Sequence, residues 1–347
     1  LTTTPAITAE DLWQVFGPDP LTAFRRAQSD ASSPEDIARV LDASGHIPAV
    51  RGVSFDVAPG ELFVIMGLSG SGKSTVVRGL SRLLQPTSGA VRLYGEDILA
   101  ASKSRMNALR RNKIGMVFQH FGLFPHMTVI DNVAYPLKVA RVSQKERYAR
   151  VRPVLEMLGL QGRDTAYPRE LSGGQRQRVG IARSLAGDCS IWFLDEPFSA
   201  LDPLIRRQLQ DEFLTIRKRL NTTIVFITHD ITEALKLADR IAIMRDGQIV
   251  QIGTPAEIVL NPVDDYVRDF ARDVARGRHA RVGSIMRNDL RDIPGDTPGL
   301  NPDMTLEDAL AFCVERYDPV PVRDPAGQVL GHVYPHDLAK ALQAEKA

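Results

Sequence analysis

The sequence has almost no cysteine. Cys189 and Cys313 are its two, far apart and at no metal or redox spacing. That excludes a disulfide-built fold and predicts a reducing compartment. It also lacks any apolar run near the roughly 18–20 residues of a membrane span. The longest, such as Leu62-Phe-Val-Ile-Met66 and Ile224-Val-Phe-Ile227, are strand-length. If the protein works at a membrane, partners are expected to hold it there. An excess of one charge is missing too. Lys and Arg number 43 against 42 Asp and Glu, a formal net charge of +1. That balance does not describe a nucleic-acid-coating protein. The start, Leu1-Thr-Thr-Thr-Pro5, has neither a basic n-region nor an apolar h-region, so no signal peptide is expected there. It begins without Met, so a trimmed extreme N-terminus is expected. There is no internal repeat and no low-complexity tract.

What is present is a strand-and-helix alternation in 347 residues, enough for two domains. Thr8 to Phe16 and Val53 to Val57 read as short strands, and Leu62 to Met66 as a buried parallel strand. A glycine loop then opens a helix through Leu84, and Ala90 to Tyr94 reads as a strand. Asp97 to about Ile181 reads as mostly helical. Apolar strand runs return at Ser190–Leu194 and Ile224–Ile227, and Asp246-Gly247 turns a hairpin. The alternation predicts an α/β parallel sheet with a helical block inserted in it. Residues 17–50 separate two strands that a hairpin would join. Within them Ser33-Pro-Glu-Asp36 reads as a helix start with proline at the first helical position.

Three motifs carry chemistry. Gly67-Leu-Ser-Gly-Ser-Gly-Lys-Ser-Thr75 is a phosphate loop. Gly67, Ser69, Gly70, Ser71 and Gly72 let backbone N–H groups converge on phosphates, and the following helix adds its positive end. Lys73 would reach the β- and γ-phosphates, Ser74 would hold Mg²⁺, and Thr75 follows at the helix start. Ile191-Trp-Phe-Leu-Asp195-Glu196-Pro197 is an apolar strand ending in two carboxylates. Asp195 would orient Mg²⁺ and Glu196 would act as general base toward the attacking water. Leu171-Ser-Gly-Gly-Gln175 precedes an amphipathic helix. Ser172, Gly173, Gly174 and Gln175 suit an anion there, or simply cap the helix.

Together these residues resemble the ATP-binding cassette of ABC transporters, from Thr8 to about Asp269. The resemblance implies a P-loop NTPase with a RecA-like core plus antiparallel β and helical subdomains. It implies ATP and Mg²⁺ as ligands, and a homodimer in which Ser172 and Gly174 of one copy close the site of the other. It makes Gln119 a ligand of Mg²⁺ or water, and His229 the residue that holds the γ-phosphate. Asp202, in Ser199-Ala-Leu-Asp202, becomes a residue of the dimer contact. Phe16 becomes the aromatic that stacks on adenine, with Trp13 as its rival.

One phosphate loop and no coiled-coil insertion favour transport over translation or repair. An apolar patch after Gln119, with Phe121, Leu123, Phe124 and Met127, reads as a docking site or as helical-subdomain core. More narrowly the chain is similar to the quaternary-amine importers, which implies uptake of a compatible solute such as glycine betaine, proline betaine or choline. The likeness lies in the 17–50 insertion, the phosphate loop with its lead-in strand from Val64 to Ser74, Phe124-Pro-His-Met-Thr-Val129 and Pro262-x-x-Asp-Tyr-Val267. That implies separate permease subunits, an extracytoplasmic substrate-binding protein, a place on the inner membrane's cytoplasmic face, and no nucleic acid. A polar amino acid importer, or a non-transport ATP-dependent clamp, is the alternative.

The expected layout is an ATP-binding domain over 1–270, with a helical subdomain over about 97–185. A basic linker follows over 271–281, containing Arg276, Arg278, His279 and Arg281. Residues 282–347 resemble one CBS motif, as in Val320-Pro-Val322 and Asp324-Pro-Ala-Gly-Gln-Val-Leu-Gly331. It has Tyr334 where a nucleotide-binding motif has Thr or Ser, although Asp337 is kept.

Overall fold

A computed structural model describes residues 4–31, 33–117, 122–187, 189–199, 201–217, 222–271, 281–287, 298–313 and 319–343. Gln119, Phe121 and all of the basic run except Arg281 lie outside the described residues. The chain divides into two compact units: residues 1–229 with 244–249, and residues 230–243 with 250–347.

The first unit holds two sheets. Strands β1 (Ile7–Phe16) and β2 (Ile47–Val57) pair antiparallel. Two helices lie between them, α1 (Pro20–Asp30) and α2 (Pro34–Ala43). Ser33 caps α2, its hydroxyl accepting from the Asp36 N–H, as its pattern predicts. Helix α1 has no such cap and was not legible. The interruption runs only to about residue 46, because β2 begins at Ile47 rather than near Val53.

Strand β3 (Leu62–Met66) is buried along its whole length and leads into α3 (Lys73–Leu80). Strands β4 (Ser88–Leu93) and β5 (Glu96–Asp97) complete the antiparallel sheet in the order β2-β1-β4-β5.

The stretch after β5 is less helical than its pattern suggests. Helix α4 (Lys103–Asn112) is followed by a strand, β6 (Ile114–Val117). Four residues are too few to show a period of two, so nothing local marks β6 as a strand. Helices α5 (Val129–Val139), α6 (Gln144–Met157) and α7 (Gly173–Ala186) then form the helical block.

Strand β7 (Ile191–Asp195) pairs in parallel with β6, and after α8 (Pro203–Arg217), β8 (Thr223–Thr228) pairs in parallel with both β7 and β3. The resulting order β3-β8-β7-β6 needs crossovers, and the helices supply them. Phe198, Phe213 and Phe226 cluster beneath this sheet with ring centroids 5.9–6.2 Å apart. They fix the β7–α8 corner from which the two carboxylates project.

The second unit contains helix α9 (Ile231–Leu237), capped by Asp230, and the helices Pro255–Leu260 and Asp265–Ala271. Strands β9 (Arg240–Arg245) and β10 (Gln248–Gly253) form the expected hairpin, whose turn, with Asp246 and Gly247 both at positive φ, belongs to the first unit. The tail is a small αβ body. Strands Val320–Arg323 and Val329–Val333 pair antiparallel, and Val282, Leu306, Val320, Val333 and Leu338 form its core. Among the described residues no helix is long and apolar enough to cross a membrane.

Candidate nucleotide site

The phosphate loop sits at the C-terminal end of β3, and the two carboxylates and His229 sit at the ends of β7 and β8. This is the edge where parallel sheets bind ligands. Gly67 and Gly72 are required by close approach. A Cβ on Gly67 would lie 2.3 Å from the Met244 carbonyl oxygen, and one on Gly72 would lie 2.5 Å from that of Ala49. Gly70, by contrast, faces open space at φ +83°.

The loop and the strand ends enclose a cavity of about 540 Å³. Ser69, Gly70, Gly72, Lys73, Ser74 and Thr75 line it, with Glu196 and His229 opposite. Its size suits a nucleotide-sized ligand. Gly67 and Ser71 lie at the loop's inner side, and Ser71 is buried.

Lys73 is buried, its Nζ donating at 2.8 Å to the carbonyls of both Gly67 and Leu68. Burial holds its ammonium below the usual lysine range, and the negative charges of Glu196 and Asp195 oppose that shift. The Ser74 hydroxyl donates to Asp195 Oδ1 at 3.0 Å. Burial also pushes the Asp195 carboxyl above the usual carboxylate range. The Ser74 hydrogen bond and the charges of Arg78 and Lys73 pull the other way, while Glu196 adds to the rise. Arg78 belongs to no motif in the sequence, although it lies one helical turn beyond Ser74 on the same face.

Glu196 adopts φ +46°. A non-glycine residue in this region stores about 1–3 kcal/mol and persists only where its surroundings fix it. Here its N–H donates to the Ile227 carbonyl at 3.1 Å, and its own carbonyl accepts from the Ser199 hydroxyl at 3.0 Å. The His229 Nδ1 lies 3.2 Å from Glu196 Oε1. An acid and an imidazole so placed can take and steer a proton at the cavity mouth.

Ser172 forms a capping box with Gln175 at the start of α7. The Ser172 oxygen accepts from the Gln175 N–H, while the Gln175 side chain accepts from the Ser172 N–H. The cap uses a lone pair and leaves the Ser172 hydroxyl proton to donate, so capping and anion binding are compatible. Ser172, Gly173, Gly174 and Gln175 do not line the phosphate cavity of their own chain. Asp202 caps α8, accepting from the Ile205 N–H at 3.1 Å.

The two aromatic candidates part clearly. Trp13 is 2% exposed and packs on Phe24 of α1 at 5.1 Å, whereas Phe16 is 40% exposed.

The residues fit a magnesium ion. A hydroxyl and a buried carboxylate side by side are hard oxygen donors. Mg²⁺ is typically held by one or two such groups plus substrate phosphates. Among the described residues no cluster of three or more His, Cys, Asp or Glu forms a self-sufficient metal cage.

Comparison with known proteins agrees with this geometry. Residues 50–199 match the family described as ABC transporter. The chain is 49% identical over 328 residues to the trimethylamine N-oxide transport system ATP-binding protein of Ruegeria pomeroyi, covering 94% of each chain. It is 45% identical over 298 residues to the glycine betaine/proline betaine transport system ATP-binding protein of Salmonella typhimurium, covering 86% of this chain and 74% of that one. Among solved structures it is similar to a dimeric post-hydrolysis ATP-binding cassette bound to ADP and Pi. The TM-score there is 0.60 at 29% identity, over 72% of this chain and 98% of the other.

Proposed function

This chain belongs to the ABC transporter family as an ATP-binding, ATP-hydrolysing subunit, and from that premise we propose that it powers uptake of a small quaternary-amine or amine-oxide solute. The observation that carries the solute class is the set of relatives just described, which match nearly the whole chain and are named for trimethylamine N-oxide and glycine betaine transport. Both solutes pair a methylated cationic nitrogen with an anionic oxygen. The cassette itself is not expected to touch the solute. The test is ATP-driven uptake of labelled trimethylamine N-oxide, glycine betaine and a polar amino acid by vesicles holding the complete complex. Uptake of the amino acid alone would overturn the assignment.

In this reading Lys73 and the loop N–H groups bind the triphosphate, Ser74 and Asp195 hold Mg²⁺, and Phe16 meets the base. Gln119 joins the Mg²⁺ or water ligands. Mg²⁺, when bound, neutralises phosphate charge. Glu196 takes the proton of the attacking water, and His229 orients that carboxylate and the γ-phosphate. Ser172 and Gly174 lie outside the cavity, which supports closure by a second copy. Asp202 then belongs to the contact between copies.

The raised Asp195 carboxyl gives a signed prediction. The folded chain holds that proton more tightly than the unfolded one. Its stabilising contribution is therefore present at low pH and lost as pH rises through the raised folded value. Asp195→Asn keeps an acceptor for Ser74 but removes the buried charge. At neutral pH the nucleotide-free variant is expected to melt higher than the parent, and the difference is expected to vanish in acid. Hydrolysis by the variant is expected to lose its response to Mg²⁺. A lower neutral melting temperature, measured by calorimetry, would contradict the account.

Docking to permease subunits has a candidate surface. A groove of about 310 Å³ is lined by Met116, Phe124, Tyr135, Pro136 and Val139. The Phe124 ring lies 4.6 Å from that of Tyr135. Buried Asn132 pins the loop, accepting from the Phe124 N–H and donating to the Phe124 and Met127 carbonyls. Phe124→Asp, and Val139→Asp at a position 44% exposed, are expected to spare ATP turnover by the isolated subunit and abolish uptake by the complex. Normal uptake by both would remove this groove from the interface.

The tail is proposed as a regulatory or dimerising module that begins near residue 282. Arg287 donates to Asp337 Oδ2 at 2.6 and 2.9 Å and lies 4.8 Å over the Tyr334 ring. That occupied carboxylate supports a tail that works without adenosine.

A further inference from the structure

We propose that His46, at the end of the inserted helical pair, positions the base-stacking turn of the nucleotide site, and that Ile47 beside it completes an apolar platform with Phe16. The inference rests on the assignment of Phe16 to the base.

The register supplies the first argument. Phe16 and Ile47 are direct partners across the antiparallel pair, and so are Val15 and Pro48. Side chains of direct partners share a face, with Cβ atoms about 4.5–5.5 Å apart. Val15 and Pro48 are buried, and Val15 packs with Trp13, Phe24 and Leu41. Phe16 and Ile47 therefore share the opposite face, where they are 40% and 66% exposed. Two large apolar side chains side by side in water form a ready stacking surface.

The second argument is location. Gln14 pairs with Val50 but Val15 pairs with Pro48, so Ala49 is an extra, bulged residue. Bulges of this kind re-aim the chain beside functional sites. Ala49 lines the phosphate cavity, and its carbonyl abuts Gly72 of the loop. Ile47 is two residues along the same strand, about 7 Å from it. With Phe16 assigned to the base, a nucleotide whose phosphates lie in the loop runs past Ala49 toward this end of the strand.

The third argument is the clamp. Gly17, with φ +139°, turns the chain directly after Phe16, and a Cβ there would lie 2.6 Å from the His46 ring. His46 Nε2 is 2.7 Å from the Pro18 carbonyl oxygen. A carbonyl only accepts, so Nε2 carries the proton and donates. His46 Nδ1 is 3.0 Å from the Ser44 hydroxyl, at the C-terminal end of α2. The insertion thus braces β1 from behind through Phe24, Ile37 and Leu41, and His46 fixes the turn that aims Phe16.

The experiment compares Phe16→Ala, His46→Ala and His46→Gln in the full chain. It measures KM and kcat for ATP, and competition by tripolyphosphate, which has no base. Phe16→Ala is expected to raise the ATP KM about five- to hundredfold, the size of a lost base stack. His46→Ala is expected to raise it about three- to tenfold, as for one hydrogen bond, with kcat kept. His46→Gln, which keeps a donor for Pro18, is expected to restore most of the loss. Tripolyphosphate is expected to bind all four proteins equally. If Phe16→Ala leaves the ATP KM unchanged, the base assignment fails and the platform with it. If Phe16→Ala weakens ATP but His46→Ala does not, the clamp alone is wrong. Equal weakening of ATP and tripolyphosphate by His46→Ala, or no rescue by His46→Gln, would also overturn it.

Discussion

Glu196→Gln is expected to slow ATP hydrolysis on the order of a hundredfold or more while leaving ATP affinity nearly unchanged. The amide keeps the size and the hydrogen-bonding reach of the carboxylate but cannot take a proton from water. The backbone at φ +46° is fixed by its own N–H to Ile227 and by Ser199, so the substitution leaves the corner in place. With hydrolysis blocked, the ATP-bound dimer is expected to accumulate. Single-turnover kinetics checks the chemical step, and size-exclusion chromatography in MgATP checks the assembly. Wild-type turnover would remove Glu196 as the base. A monomer in MgATP would count against closure by a second copy.

Lys73→Ala is expected to bring hydrolysis to background and to weaken triphosphate binding by about 1.5–3 kcal/mol, the worth of hydrogen bonds to a charged group. The fold is not expected to suffer in proportion. Burial already disfavours the charged ammonium, which is why its titration is shifted downward. Removing it takes an unwelcome charge out of the interior, although the Gly67 and Leu68 carbonyls lose their donor. Calorimetry of the nucleotide-free protein should therefore show a melting temperature close to the parent's, while isothermal titration shows weakened ATP binding. A variant that loses binding only because it unfolds would contradict this account of the loop.

Much of the site was legible because its parts are short and contiguous. The phosphate loop, the Asp195-Glu196 pair and Leu171–Gln175 each sit within a few residues, at junctions that apolar runs and glycines announce. The Ser33 cap was legible for the same reason. Strand β6 was not, because four residues carry no period and its partner β7 lies more than seventy positions on. Helix α1 was hidden because its starting residue, Asp19, makes no side-chain cap.

The choice between Phe16 and Trp13 shows the limit most plainly. Both are aromatics near the end of one strand, and strict alternation would place them on opposite faces. Alternation holds there, but it does not say which face is covered: the packing of α1 buries Trp13 and leaves Phe16 at the surface.

By itself the sequence determined the parts of the candidate site: a phosphate loop, a pair of carboxylates at a strand end and a glycine-rich helix start, because those depend on residue types at fixed local spacing. Only the tertiary structure decided which groups meet. The parallel pairing of β3, β8 and β7 brings Ser74 to Asp195 and Glu196 to His229 across more than thirty residues of chain. The packing of the inserted helices decides which aromatic is buried and which is left exposed. Such contacts are set by sheet register and burial, and neither is encoded within a local window.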